Sequence, residues 1–559
     1  MSGLNYTKPT PIPTLSRFLA GAVLCAAVAF GQAGRAELFG VVRDPAGLPV
    51  QGATVNLTDE RTGARSAAVT SDGGGYHYFA LLPGNYVLTV SHLGFDSLRR
   101  SGIEVQVAAR IAVDLELKVG EASQYVEVRA ATPLLQTTTG TESFFVDEAK
   151  LNTLPLDGRN FVPLIALAPG VALPPGSTAS PSLLPRINGS RPRTSEYIYD
   201  GISVLQPEPG QVAYYPVLDA IAEFRVQINS YSAEYGRSNG GIIQVSTKPG
   251  TNDFHGTLFE YFRNEVLNAR NYFAPAGAKP PFRRNQYGLV FGGPIQKNRT
   301  FFLVDWQGTR LGIGNTKIST VPSSAQRAGV FSTPVYDPAT TRKNSAGAWI
   351  RDPFPNNTIP TIHFDSAAAA LFSRYPLPNS ANSYRRTAID TTSQDQFDTR
   401  LDRYFGERNR VFAKYTYLRD DSAPGTPLPD GSGSITSGVI GDTLTRADGV
   451  AAEYDYTVSP ASVNQLRLGF TRRGFNRASL VSSQTSPIPN VPVTAFATAF
   501  PIFQIGGYQQ LGPVGGHADV AFLQIEQPDR FVIFARAENE SEWRALRRRV
   551  KTGSGFVGG

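Results

Sequence analysis

From Ala451 to Val458 the chain alternates residue by residue. Ala452, Tyr454, Tyr456 and Val458 share one face, and Ala451, Glu453, Asp455 and Thr457 share the other, because successive side chains of a strand point to opposite sides. The stretch Gln465–Thr471 repeats the pattern, with Leu466, Leu468 and Phe470 opposite Gln465, Arg467, Gly469 and Thr471. A lipid-facing barrel strand needs one apolar and one polar face, but a soluble sandwich strand alternates too. The links between strands separate the two readings. Strands are predicted over 254–262, 285–293, 299–307, 396–405, 410–419, 447–458 and 462–472, and the links joining them alternate long and short, the longest being 308–395. Short turns on one side and long loops on the other are the outer-membrane barrel pattern. A structureless loop of that length counts against a soluble domain.

The first third of the chain has a different pattern. The segments LFGVVRDPAGLPVQGATVNLTD, TSDGGGYHYFALLPGNYVLTVSHLGF and IEVQVAARIAVDLEL alternate in short runs broken by Gly and Pro, which predicts a small β-sandwich of about seven strands over 37–120. Tyr76, Tyr78, Leu81, Tyr86, Leu88 and Val90 are expected to supply much of its core. Ahead of it, Lys8 and Arg17 precede an apolar run from Phe18 to Phe30 and then small residues. This reads as a secretory signal peptide over 1–36, cleaved after Ala33 or Ala36. Leu24 before Cys25 is too bulky for a lipoprotein signal. No other segment offers a run of apolar residues long enough for a helix to cross a bilayer, so any membrane span must be made of strands.

Composition narrows the chemistry. Charged residues make up 18% and hydrophobics 41%, too apolar a balance for a disordered chain. The single cysteine, Cys25, falls in the expected signal segment, so the exported chain would carry no thiol. The net charge of +7 is scattered, without a basic stripe interleaved with aromatics, so no nucleic-acid partner is expected. The five histidines are His77, His92, His255, His363 and His517. None has the HExxH spacing of a zinc hydrolase, and His77 and His92 read as ordinary strand residues. No pair of carboxylates is placed with a nucleophile or metal ligand. No catalytic, metal or cofactor residues are assigned, and the chain is not expected to be an enzyme.

Residues 219–273, DAIAEFRVQINSYSAEYGRSNGGIIQVSTKPGTNDFHGTLFEYFRNEVLNARNYF, resemble the plug-to-barrel junction of TonB-dependent outer-membrane receptors. The similarity is to the Oar-like subgroup, which carries an extra domain ahead of the plug. LNTLPLDGRNFVPLIALAPGV, INGSRPRTSEYIYDGISV, FPNNTIP and YPLPN also resemble it. The front segment, through Gly40, Asp44, Gly47, Pro49, Gly52, Ala53, Gly75, Tyr76, Leu82, Pro83, Gly84, Tyr86 and Gly94, is similar to the carboxypeptidase regulatory-like domain, with its transthyretin-like and carbohydrate-binding-like topology. That likeness of fold implies an accessory module and is weak evidence for a sugar site.

The resemblance implies a mainly β fold in three parts: the sandwich, a mixed α+β plug over 121–250, and the N-terminal part of a transmembrane antiparallel barrel over 251–516. Gly158-Arg159-Asn160, Pro169-Gly170, Asn188-Gly189 and Asp200-Gly201 are expected turns of the plug, and Glu223, Glu234 and Arg237 are candidates for ion pairs with the barrel wall. Tyr125, Val126, Glu127 and Val128 form a candidate TonB box, which would pair by strand addition with a periplasmic TonB-type energiser. A first plug strand without that contact is the alternative. The resemblance also implies residence in the outer membrane and an extracellular ligand. Siderophore, vitamin, carbohydrate and peptide all stay open. A surface binding or adhesion protein without transport, holding a glycan or peptide, is the competing class.

Large plugged transporters use about 22 strands, so the chain reads as a truncated receptor. From His517 the text gains charge and loses alternation, and Trp543 to Val550 reads as a basic helix. A frameshift near Gly516 would produce such a tail over 517–559. Completion of one barrel by several chains is the other expectation.

Overall fold

The computed structural model describes residues 35–120, 125–129, 140–173, 184–206, 211–232, 235, 238–270, 279–381, 383–433, 441–459, 462–478, 503–512, 522–526 and 530–537. The expected signal segment up to residue 34, Glu234, Arg237 and the stretch Trp543 to Val550 lie outside them.

The front module is a sandwich of two sheets. One holds β1 (Ala36–Arg43), β4 (Gly75–Leu81), β7 (Arg110–Ala112) and β8 (Leu115–Glu116). The other holds β2 (Thr54–Asp59), β3 (Arg65–Val69), β5 (Gly84–Ser91), β6 (Ser97–Val105) and β9 (Tyr125–Arg129), in the order β3-β2-β5-β6-β9. All six expected core residues are buried. The tyrosines keep their hydroxyls satisfied inside: Tyr78 donates to the Val55 carbonyl at 2.7 Å and Tyr86 to that of Leu82 at 2.9 Å, as buried phenols must. Gly40 is required by close approach, since a Cβ there would stand 1.9 Å from the Val113 oxygen. His77 lies in β4, its ring tilted against that of Phe79 with centroids 3.6 Å apart. His92 falls just past the end of β5 rather than inside a strand, packed 5.6 Å from Phe95.

The segment expected to be the plug, and called so below for its place in the chain, is a five-stranded mixed sheet in the order β10-β15-β16-β13-β14, made of β10 (Glu142–Asp147), β13 (Glu196–Tyr199), β14 (Ile202–Ser203), β15 (Ile221–Asn229) and β16 (Ile242–Thr247). A two-stranded piece, β11 (Val171–Ala172) with β12 (Arg186–Ile187), and a short helix, α1 (Glu148–Thr153), accompany it. Its core gathers Phe161, Ile165, Tyr197, Tyr199, Phe224 and Val245. The expected turns carry left-handed backbone where chain reversal needs it, at Gly158, Arg159, Gly170, Asn188, Gly189, Asp200 and Gly201.

The barrel wall is a nine-stranded antiparallel sheet of β17 (His255–Asn264), β18 (Phe282–Gln296), β19 (Thr300–Thr320), β22 (Ser383–Phe405), β23 (Asn409–Ala423), β24 (Asp442–Ser459), β25 (Ser462–Ala478), β26 (Phe522–Glu526) and β27 (Arg530–Ala537). All seven expected strands are present, and each runs further at its loop end than the alternation alone marks. Continuous backbone pairing, such as Thr320 with Ser383, carries them beyond the apolar band. Within the segment from His517 on, expected to leave the barrel pattern, the described residues 522–526 and 530–537 form β26 and β27. Both pair antiparallel with β25, one beyond the other along its length. Sheet pairing needs backbone hydrogen bonds more than strict alternation, so the added charge does not prevent it.

The longest link is shorter and more ordered than expected. It runs over 321–382 and contains α2 (Ser324–Arg327), a hairpin of β20 (Arg342–Lys343) and β21 (Trp349–Ile350), and α3 (Ser366–Arg374). Val321, Leu371, Tyr375, Leu428 and Leu511 give these outer loops a small core of their own. Arg327 ties the loop by donating to the carbonyls of Phe372 at 2.9 Å and Tyr375 at 2.8 Å.

The two faces of the wall are reversed relative to a soluble protein. Gln465 and Arg467 are buried, while Leu466 and Leu468, which alternate with them, are exposed. Glu453 is 2% exposed and its neighbour Tyr454 is 37% exposed. A polar interior and apolar exterior are what lipid demands and what water would disfavour.

Candidate site where the plug meets the wall and the front domain

Asp200 sits at the tip of the β13–β14 hairpin in left-handed backbone (φ 48°) and is buried. Its carboxylate accepts from the Thr247 N–H at 2.9 Å and the Thr247 hydroxyl at 2.7 Å. From the wall, Arg400 of β22 approaches at 3.2 Å and Lys414 of β23 at 3.3 Å. Burial opposes ionisation, but Lys414, Arg400 and the two Thr247 bonds outweigh it and hold the Asp200 carboxyl well below the usual carboxylate range. Behind Asp200 the wall's interior charges continue as a chain of pairs. Arg400 binds Asp402 through two nitrogens at 2.7 and 3.0 Å, and Arg410 reaches Asp402 at 3.1 Å and Asp455 at 3.2 Å. Arg467 binds Glu453. Charges this deep are tolerable only when paired and hydrogen-bonded.

A second plug–wall contact forms at the Gly158-Arg159-Asn160 turn. The Arg159 guanidinium pairs with Asp219 and lies 4.6 Å from the Phe259 ring and 4.3 Å from the Tyr261 ring of β17. Asp157 accepts from Arg263 at 2.9 Å and from Arg284. Burial is the opposing influence there, and the two guanidinium groups draw the Asp157 carboxyl below its ordinary value.

The front module touches both other parts. Arg35, ahead of β1, reaches Glu453 at 2.9 Å. Asn252 donates to the Thr62 carbonyl at 2.7 Å and to Asn298, in the tight β18–β19 turn, at 2.7 Å. A cavity of about 80 Å³ lined by Leu57, Tyr86, Tyr404 and Arg410 lies between the sandwich and the β22–β23 turn. The sandwich therefore stands at the short-turn end of the wall, the periplasmic end in an outer-membrane barrel.

Glu223 corrects the expectation of an ion pair with the wall. It faces the front module, accepting from the Val107 N–H. Burial, with Glu104 adding to it, pushes this carboxyl up to about 8 despite the Val107 N–H and the Arg61 and Arg225 charges. A buried group that gains mostly a neutral donor keeps its proton more readily than one facing a cation. Beside it, Arg225 donates to the Ala108 carbonyl at 2.8 Å and to the Ser143 hydroxyl at 2.7 Å.

The candidate contact segment Tyr125, Val126, Glu127 and Val128 forms β9. It is not a plug strand, since β10 opens the plug sheet. It pairs in parallel with β6 of the sandwich, Ser97 opposite Tyr125 through Ser101 opposite Arg129. Glu127 is exposed.

Sequence reasoning marked Asp200 only as a turn residue and did not single out Thr247, Arg400 or Lys414. The available signal was a charge on the polar face of a barrel strand, which says that a partner is needed but not which one. Among the described residues no three His, Cys, Asp or Glu side chains are grouped as metal ligands.

A reversed β-wall with a small mixed sheet seated against its polar inner face is the arrangement of an outer-membrane protein. The chain belongs to the outer membrane beta barrel domain family, whose model matches residues 246–525, and its location is the outer membrane. The carboxypeptidase regulatory-like domain matches residues 37–118. The TonB-dependent transporter Oar of Myxococcus xanthus is 26% identical over 300 residues, covering 50% of this chain and 28% of that protein. The outer membrane transporter YddB from Escherichia coli superposes with a TM-score of 0.43 at 13% identity, over 71% of this chain and 45% of that one. The siderophore receptor PirA from Acinetobacter baumannii gives a TM-score of 0.37 at 14% identity, over 62% and 41% respectively. The chain thus spans less than half the length of each. These relatives are transporters and receptors, not enzymes.

Proposed function

We propose that this chain is part of a TonB-dependent outer-membrane receptor that takes up an extracellular ligand, with energy delivered by a periplasmic TonB-type energiser at Tyr125–Val128. The observation that carries the reading is the Asp200 contact. The plug is held to the wall there by hydrogen bonds and ion pairs to Arg400 and Lys414, not by an apolar seal alone. Charges parted by a moving plug can be taken up by water, so such a contact can open and re-form. No covalent step is required: the ligand meets the outer loops and plug, and the plug then rearranges. Carbohydrate, peptide and siderophore all fit this reading.

The test uses a purified periplasmic energiser domain and the full chain in detergent. Binding that is lost in Val126→Pro, with the sandwich still folded by circular dichroism, supports the assignment, because proline removes a backbone donor from the pairing strand. Unchanged binding in that variant sinks it.

A further inference from the structure

The segment 125–129 is held by the front module, and the front module is held by the plug. β9 runs beside β6 over five consecutive register pairs, Ser97 opposite Tyr125 to Ser101 opposite Arg129. β6 ends at Val105, and the turn after it reaches the plug. Ala108 in that turn takes left-handed backbone, φ 52°. The Val107 N–H donates to Glu223. Arg225 donates to the Val107 carbonyl at 3.3 Å and the Ala108 carbonyl at 2.8 Å. The same guanidinium donates to the Ser143 hydroxyl at 2.9 and 2.7 Å. Ser143 lies in β10 and Arg225 in β15, so one guanidinium fastens the turn to two neighbouring plug strands.

We propose that the front module is the mechanical coupler between the contact segment and the plug. A pull on 125–129 passes through the β6–β9 ladder into the sandwich and enters the plug at Glu223, Arg225 and Ser143. The inference rests on 125–128 being the energiser contact. Its physical ground is the relative strength of the two joints. Strands pulled along their length load all their backbone bonds together, and β9 has five paired positions. Among the described residues, the hydrogen bonds between this turn and the plug run through the Val107 N–H and the Arg225 guanidinium. The turn therefore parts from the plug before β9 leaves β6, and β10 and β15 lose a shared partner at that moment. The sandwich is then a working part of the transport cycle, not a spacer.

Force spectroscopy on the full chain in a supported bilayer tests this, with the tip carrying a purified periplasmic energiser domain. Arg225→Ala should lower the first rupture force by about half, since it removes the charged donor of the joint. Ser143→Ala should lower it less. A short bis-maleimide bridge between Ser101→Cys and Arg129→Cys, just outside the contact residues, should leave the first rupture unchanged, because β9 stays on β6 anyway. A first rupture that strengthens on bridging and ignores Arg225→Ala would mean that β9 peels away first, and overturns the proposal. A tip that captures the chain no better than it captures Val126→Pro overturns the contact assignment itself.

Discussion

Arg35 and Glu453 form an ion pair of 2.9 Å across 418 residues of sequence, and both side chains are nearly inaccessible, at 6% and 1% exposure. Arg35 lies between the two expected signal-cleavage positions. Ala36, the first residue of β1, is fully buried and paired with Leu81. Cleavage after Ala36 would remove both contributions, whereas cleavage after Ala33 preserves them. Intact mass and N-terminal sequencing of outer-membrane material should therefore give a chain beginning at Gly34. Arg35→Ala should destabilise docking of the front module by about 1–2 kcal/mol, less than a wholly broken buried pair, because Glu453 retains Arg467.

Asp200→Asn should unseat the plug. It removes one of the carboxylates that Arg400 and Lys414 each face, Asp402 and Asp398 remaining, so the loss should stay below the roughly 3 kcal/mol of a wholly broken buried pair. Thermal unfolding and protease access to the β13–β14 hairpin measure it. The pH dependence has a definite sign. The folded-state carboxyl titrates below the ordinary value of 3.8, so its stabilisation is full above that value and is lost only as pH falls toward the depressed one. Acid-induced loosening that is already complete at pH 5 would contradict the contact.

Glu223 behaves oppositely. Its carboxyl is raised from 4.5 to about 8 by burial, so the docked state binds a proton that the opened state releases. Attachment of the front module should weaken as pH rises from about 4.5 and level off above about 8. Glu223→Gln should remove that slope while keeping an acceptor for the Val107 N–H. Hydrogen exchange of residues 106–109 between pH 5 and 8 reads it directly. An identical slope in the variant would remove Glu223 as its cause.

Leu468 and Arg467 test the direction of the wall. On a soluble protein, replacing the exposed Leu468 by arginine would be nearly neutral. In lipid it should cost about 2–4 kcal/mol near the bilayer centre, visible as loss of insertion into lipid vesicles. Arg467→Leu should instead disturb Glu453 and leave the lipid surface intact.

The sequence alone determined the strands and the two kinds of face, because both are local. Alternation between Ala451 and Val458 is written in eight neighbouring residues, and turn residues such as Asn188-Gly189 and Asp200-Gly201 mark reversals through their own backbone preferences. The front-module core was legible for the same reason. Only the tertiary structure decided that Asp200 meets Arg400 and Lys414, that Glu223 faces Val107 and not the wall, and that Tyr125–Arg129 completes the sandwich sheet. These pairings join residues separated by up to 214 positions. They depend on the curvature of the wall, the register of its strands and the seating of one module on another. A residue's local pattern specifies that a buried charge or an open strand edge needs a partner; which partner arrives is set by how distant surfaces pack.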